Sequence, residues 1–385
     1  MTATTYTLER CLGRGGYGEV YLATRRTPSG LVHRVAVKML RADLTRPVLG
    51  LRRMRDEARL LAALEHPVIV RVLELTRLDG RVAIVMEHLE GVDVAEFGRS
   101  SRLLPRRVLL DVISDVAHAL DRAWNAPAPL TGEPLRLVHR DIKPANLRIT
   151  VNGTVKLLDF GIARSDTLDL EAQTYSGHFA MTPGYAAPES FLSAEQTHAT
   201  DIFALTATLF RLWTGTKLFE KRTVAEQATL AIAQRPFDRF IESRLATVDG
   251  PESLKTLLRN GLAWSGPRRP TGVELQQTLE PMIEGLPAPG LRRWARDLEL
   301  PPVRDARGSL VGLTLTEEAH VAVEDEPEVI AASATTVLHR SSSASPEPSR
   351  WSLASIALPL VLVLALGFGL GVFALILGVI GVFFG

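Results

Sequence analysis

One cysteine, Cys11, is all that these 385 residues contain. No disulfide can form within the chain, and a reducing compartment suits it best. The thiol precedes a glycine-rich turn, which reads as a structural position rather than a redox centre. An excess of one charge is missing too: 44 Lys and Arg face 43 Asp and Glu, for a formal net charge of +1. Nucleic-acid binding is therefore not expected, because nothing in the whole-chain balance neutralises phosphates. Met1 to Arg10 has no apolar core, so no signal peptide is expected to open the chain. Internal repeats are absent.

What is present divides into three regions. Residues 6–285 have the mixed polarity of a globular domain, with Arg and Glu interspersed as on a solvated surface. Residues 286–350 drift toward linker chemistry, with acids at Glu324, Asp325, Glu326 and Glu328 and then a Ser/Pro run from Ser341 to Ser349. Such a stretch buries too little apolar surface to offset its ordering entropy, and its second half is expected to be disordered. Leu291–Leu300 fits either a last packed helix or a juxtamembrane element.

From Trp351 to Gly385 no residue is charged, the mark of a transmembrane helix. The stretch 353–385 would be about 50 Å long as a helix at about 1.5 Å per residue. One crossing needs about 20 residues, whereas the two arms of a hairpin turning near Gly367–Gly371 would be too short. Arg340 and Arg350 flank its near side and no charge lies beyond, so the preceding domain is expected in the cytoplasm, tethered to the cell membrane by a single pass. Gly367, Gly371, Gly378 and Gly385 share one helical face, which permits a homodimer.

Within the first region, strand-like runs come early: Glu19 to Ala23, Val32 to Leu40, Val70 to Thr76 and Arg81 to Glu87. Helical periodicity dominates later, as in Leu109 to Trp124 and Ile202 to Thr214. The expected fold class is α+β, a small β-rich lobe followed by a larger helical one.

Leu12 to Val20 reads L-G-R-G-G-Y-G-E-V. Glycines at 13, 15 and 18 let backbone approach phosphates closely. A dinucleotide-binding turn has the same spacing, but it needs a helix next and an acid about 20 residues on. Here a strand-like E-V-Y-L-A-T follows and then Lys38, ending V-A-V-K. A charge at the inner end of an apolar strand needs an anionic partner. Glu57, beside the apolar stripe of the helical run Leu51 to Leu64, is the natural candidate.

His139 to Asn146 reads H-R-D-I-K-P-A-N. Phosphoryl transfer needs a carboxylate beside the attacking hydroxyl, a cation near the transferred phosphate and an oxygen ligand for a hard cation. Asp141, Lys143 and Asn146 supply those types within one short loop. D-F-G follows at Asp159 to Gly161, an acid that can ligate a metal at a strand-to-loop junction. T-P-G-Y-A-A-P-E, Thr182 to Glu189, closes the series.

In this order and spacing the strings resemble the protein-kinase signature set, and closely resemble bacterial serine/threonine kinases of eukaryotic type. The likeness covers about residues 6–285 and implies the bilobal protein-kinase fold, followed by one C-terminal transmembrane helix. It implies ATP as phosphoryl donor, Mg²⁺ (or Mn²⁺ in its place) as the metal, and protein Ser/Thr hydroxyls as acceptors. Gly13, Gly15 and Gly18 would cover the phosphates. Lys38, paired with Glu57, would hold the α- and β-phosphates. Asp141 would accept the hydroxyl proton, Lys143 would steady the γ-phosphate, and Asn146 and Asp159 would ligate the metal. Met86 would be the gatekeeper and Glu87 to Leu89 the adenine-binding hinge, with Leu12, Val20, Ala36 and Leu147 sandwiching the base.

Lys143 resembles the serine/threonine branch, where Thr182 would touch Asp141. Arg140 would receive an activation-loop phosphate, expected at Thr174 or Ser176. The alternative is a membrane-tethered pseudokinase that binds nucleotide and partners without transfer. It is disfavoured because Lys38, Asp141, Asn146 and Asp159 are all present. Three positions depart from the family. Ala126 to Pro134 suggests a surface insertion. Ser265 to Pro270 reads S-G-P-R-R-P, yet Arg269 remains to pair with Glu189. Thr206 stands where glycine is common.

Overall fold

The structure, a computed structural model, describes residues 3–14, 18–40, 58, 61, 64–98, 103–128, 131–159, 182–192, 194–300 and 308–318. Five antiparallel strands build the small lobe: β1 (Thr5–Arg14), β2 (Gly18–Arg26), β3 (Val32–Leu40), β4 (Val72–Leu78) and β5 (Arg81–Glu87). The runs expected at Val32–Leu40 and Arg81–Glu87 match strand for strand. The β4–β5 hairpin turns on Asp79 and Gly80, at φ 44° and 79°. Positive φ at both turn residues gives the twist that two-residue hairpins require.

A sixth strand comes from far along the chain. β9 (Thr314–Thr316) pairs antiparallel with β1, placing Thr5 opposite Thr316 and Thr7 opposite Thr314. The sheet order is β4-β5-β3-β2-β1-β9. On its other side the same segment reaches the end of β4. Leu78 bridges Glu317, the Asp79 amide donates to the Thr316 carbonyl at 3.1 Å, and the Glu318 amide donates to the Arg77 carbonyl at 3.1 Å. The sheet therefore closes on itself, which leaves no open strand edge on that side. Tyr6, Leu8, Cys11, Tyr21, Val37 and Val85 fill its interior together with Leu310 and Leu315.

Within the stretch 286–350 expected as linker, the described residues 286–300 and 308–318 are folded, and residues 301–307 and 319–350 lie outside the described residues. Residues 308–318 are folded onto the small lobe because Leu310 and Leu315 find an apolar interior there. Of the two readings for Leu291–Leu300, the structure shows the packed helix, a single turn at Leu291–Trp294. Its Leu291 amide donates to Asp111 at 2.8 Å, and Trp294 lies edge-on to Phe97 with ring centres 5.7 Å apart. Residues 319–385, including the apolar run 353–385, lie outside the described residues. Among the described residues no helix is long and apolar enough to cross a membrane.

The large lobe opens with a small sheet of β6 (Gly91–Asp93), β7 (Leu147–Thr150) and β8 (Val155–Leu157). Around it stand α1 (Arg106–Asn125), α2 (Pro188–Phe191), α3 (His198–Thr214), α4 (Val224–Ala231), α5 (Gln234–Leu245), α6 (Glu252–Gly261), α7 (Gly272–Glu284) and α8 (Leu291–Trp294). The central α3 is buried nearly all round, starts in a Thr197–Thr200 capping box and stops at Gly215, φ 73°. Thr206 fits because Gly261 of α6 gives it room: a Cβ on Gly261 would lie 2.2 Å from the Thr206 hydroxyl oxygen. That hydroxyl donates back to the Ile202 carbonyl at 2.7 Å. The stretch expected as an insertion forms a surface excursion pinned by a Pro127–Pro134 bridge.

Candidate active site

The loop between α1 and β7 brings the expected catalytic groups together. Lys143 Nζ lies 2.7 Å from Asp141 Oδ2 and 3.0 Å from Thr182 Oγ1. Thr182 in turn donates to Asp141 Oδ1 at 2.5 Å. Carboxylate, ammonium and hydroxyl thus close a triangle. Asn146 turns its amide nitrogen onto Asp141, at 2.8 Å from the carbonyl and 3.0 Å from Oδ2. Its carbonyl oxygen is then the atom able to face a cation. Pro144–Asn146 forms a single 3-10 turn that carries Asn146 from the loop into β7.

One residue that the motif reading left without a role holds this loop. Asp201 is buried on α3 and accepts the His139 amide at 2.6 Å and the Arg140 amide at 2.8 Å. Arg140 sits at φ 65°, a left-handed conformation that costs a non-glycine residue free energy and persists only when its surroundings enforce it. Burial pushes the Asp201 carboxyl up to about 7, against the pull of the two amides. The signal for Asp201 was present in the sequence, as the lone acid in a helix of mostly apolar residues. His139 is fully buried and its Nε2 meets the Leu158 carbonyl at 2.9 Å, which ties the catalytic loop to the strand end that carries Asp159.

Lys38 reaches Asp159 at 3.1 Å. The lysine charge holds that carboxyl below the usual aspartate range, against a smaller opposing effect of burial. Asp159 has φ 48°, another left-handed residue at the site. Glu57, Gly15 and residues 160–181 lie outside the described residues, so the expected Lys38–Glu57 pair and the sites Thr174 and Ser176 do too. Gly18 has a packing reason to lack a side chain, since a Cβ would lie 2.9 Å from the Met39 carbonyl. At Gly13 no atom of the described residues comes within 4 Å of that position. A side chain at Gly13 would fill space that the described residues leave clear.

On the side expected to take the base, Ala36 and Met86 face each other across β3 and β5. Val20 and Leu89 pack on the same apolar cluster, whereas Leu12 is exposed. Glu87 accepts the Arg71 amide at 2.8 Å and pairs with Lys156 at 2.5 Å. Leu147 is a correction. It is fully buried in the large-lobe core together with Ile149, because side chains alternate along β7. Arg148 points the other way. Its guanidinium donates to the Leu89 carbonyl at 3.0 Å, to the Gly91 carbonyl at 2.8 Å and to Asp93 at 2.5 Å. The hinge is therefore bordered by a planar cation where an apolar residue was expected.

Farther out, Glu189 and Arg269 pair as expected, at 2.6 and 2.8 Å. The Arg269 side chain is wholly buried and also donates to the Ala199, Ala263 and Trp264 carbonyls. Burial raises the Glu189 carboxyl, but the hydrogen bonds and charge of Arg269, with Thr200, outweigh it and leave the group below its ordinary value.

The protein kinase domain model matches residues 6–280. The chain belongs to that family. It is 34% identical over 286 residues to the tyrosine-protein kinase MasK of Myxococcus xanthus, a match covering 72% of this chain and 43% of that protein. Identity is 37% over 211 residues with the serine/threonine-protein kinase PknH of Mycobacterium tuberculosis, covering 54% of this chain and 31% of PknH. The chain thus spans less than half the length of these relatives. Among solved structures it resembles the kinase domain of M. tuberculosis PknI, with a TM-score of 0.50 and 25% identity over 73% of this chain and 97% of that one.

Proposed function

We propose that the chain transfers the γ-phosphoryl group of ATP to serine or threonine hydroxyls of proteins. The observation that carries this reading is the Asp141–Lys143–Thr182 triangle, with distances of 2.5 to 3.0 Å. A hydroxyl entering beside Asp141 meets a carboxylate that can take its proton. Lys143 balances the negative charge that grows as the proton leaves, and Thr182 fixes the carboxylate in one orientation. Positioning and charge neutralisation of this kind supply most of the rate in phosphoryl transfer.

The donor set fits a hard cation, because Asp159 is held ionised by Lys38 and Asn146 offers a carbonyl oxygen. Mg²⁺, when bound there, neutralises phosphate charge. Lys38 binds the inner phosphates, the bare backbone at Gly13 admits them, and the Glu87–Leu89 backbone takes the adenine. MasK carries the name of a tyrosine kinase, whereas PknH carries that of a serine/threonine kinase. The lysine bridge from Asp141 to Thr182 supports the second, because it narrows the approach to the carboxylate. Labelled ATP and Mg²⁺ with wild type and Asp141→Asn test the reading. Transfer should fall by about 10² to 10⁴ in the variant, and phosphoamino-acid analysis of the wild-type product should show Ser or Thr. Equal transfer by both proteins would remove Asp141 from the mechanism.

The uncharged run 353–385 supports a single-pass anchor in the cell membrane with the kinase portion on the cytoplasmic side, where ATP is supplied. Retention of the protein in membranes after alkaline extraction checks this, and release refutes it. Self-association through the glycine face should be lost in Gly371→Leu. Phosphate on Thr174 or Ser176, seen by mass spectrometry of active protein, would support autophosphorylation received by Arg140.

A further inference from the structure

Beside the catalytic triangle lies a cleft of about 540 Å³ to which neither the motifs nor the family match assigns a role. Its near wall is Pro183 and Gly184, the residues directly after Thr182. Gly184, at φ 93°, donates its amide to the buried Gln227 of α4 at 2.9 Å. Tyr185 next to it takes a 2.9 Å hydrogen bond from Arg211 at the end of α3. The wall is therefore fixed from behind rather than free to collapse into the cleft.

Charge in the cleft is one-sided. Arg211, Lys217, Lys221 and Arg222 line it against the single acid Glu220. None of the four cations forms an ion pair among the described residues. Arg222 instead lies 4.9 Å from the Phe240 ring centre, and Arg211 has a phenol for its partner. The Arg211 Nε is buried with no hydrogen-bond acceptor. Across from it Gly98 makes the room, since a Cβ there would lie 2.9 Å from that nitrogen. Unpaired cations in a concave surface concentrate positive potential and select anions. A guanidinium among them suits the planar, bidentate geometry of carboxylate and phosphate oxygens.

A bound polypeptide that places its hydroxyl at Asp141 runs past Thr182 and, at about 3.3 Å per extended residue, comes alongside this cleft within a few residues. We propose that the cleft receives an anionic side chain of the protein substrate, an Asp, Glu or phosphorylated residue near the acceptor. The enzyme then selects acidic or already phosphorylated sequences. This rests on the kinase reading above and names its substrate class.

The test uses the full chain with Mg·ATP and peptides carrying one acceptor in a neutral background. Asp, phosphoserine, Asn or Lys is stepped through the positions on either side of the acceptor, and kcat/KM is measured. The proposal expects one position at which Asp and phosphoserine raise kcat/KM by about tenfold over Asn, while Lys lowers it; the gain should shrink as salt is added. In K217E/K221E, two exposed positions, the preference should invert toward Lys, with the melting temperature unchanged as evidence of folding. Equal kcat/KM for acidic and neutral peptides overturns the proposal, as does an acidic preference that survives the charge reversal. Failure to phosphorylate any peptide sinks the kinase reading itself, a result distinct from phosphorylation without preference.

Discussion

Leu315→Ala should destabilise the small lobe although it lies far beyond the family match, which ends at residue 280. Leu315 is 7% exposed and sits among Tyr6, Leu8 and Leu78 inside the closed sheet. Truncating a buried leucine costs about 2–5 kcal/mol, from lost transfer energy plus the cavity left behind. At about 2–4 °C per kcal/mol for domains of a few hundred residues, a cost of about 3 kcal/mol lowers the melting temperature by about 6–12 °C. Leu313 provides the control from the same segment. It is 47% exposed, and Leu313→Ala should stay within about 0.5 kcal/mol of wild type. Its backbone anchors, Leu8 amide to Leu313 carbonyl at 2.8 Å and Gly312 amide to Leu8 carbonyl at 2.8 Å, survive the substitution. Scanning calorimetry of the three proteins gives the comparison. Equal melting temperatures for Leu315→Ala and wild type would refute the closed sheet as a stabilising structure.

Other expectations follow from buried charge and titration. Glu189→Ala leaves the wholly buried Arg269 guanidinium without its carboxylate, a loss of about 3–5 kcal/mol visible as a large fall in the urea midpoint. Asp201→Asn can accept only one of the two amides that Asp201 now accepts. It should cost about 1–3 kcal/mol and lower kcat as the Arg140 turn relaxes, while nucleotide affinity through Lys38 changes little. A matching fall in nucleotide affinity would contradict that division. His66 is held down to about 4 by burial first, then by His118, Arg122 and Lys156. An unfolded histidine titrates near 6.5, so between those values the unfolded chain binds more protons. Stability from this group is complete above about pH 6.5 and is lost as pH falls toward 4. His66→Asn should flatten that part of the melting-temperature profile.

The cluster around Asp141 was readable in the sequence because its members are local. Asp141, Lys143 and Asn146 lie within six residues, and a short loop needs few contacts to bring them together. Glu189 and Arg269 were readable through their motifs although 80 positions separate them. Leu147 was misplaced for a reason the sequence itself contained. In L-R-I-T the two apolar residues share one face of the strand, so an inward Leu147 obliges Arg148 to face the hinge. The β9 strand was not readable at all. T-L-T offers one inward side chain, with a burial pattern of exposed, buried, exposed. Three residues carry almost no periodic signal, and their partner β1 lies about 300 positions earlier.

The groups that would meet substrate are therefore set by short motifs, whereas the groups that hold them in place come from elsewhere in the chain. Asp201 reaches the catalytic loop from 60 residues downstream and enforces the strained turn at Arg140. Residues 308–318 close the lobe whose β3 carries Lys38. A little earlier in the sequence, Leu291–Trp294 docks on α1 of the large lobe. Leu291–Trp294 thus holds to the large lobe and 308–318 to the small one, and the grip of the latter on β1 acts two strands away from Lys38. A motif search stops where the chemistry stops, but the scaffold that gives the chemistry its geometry extends to residue 318.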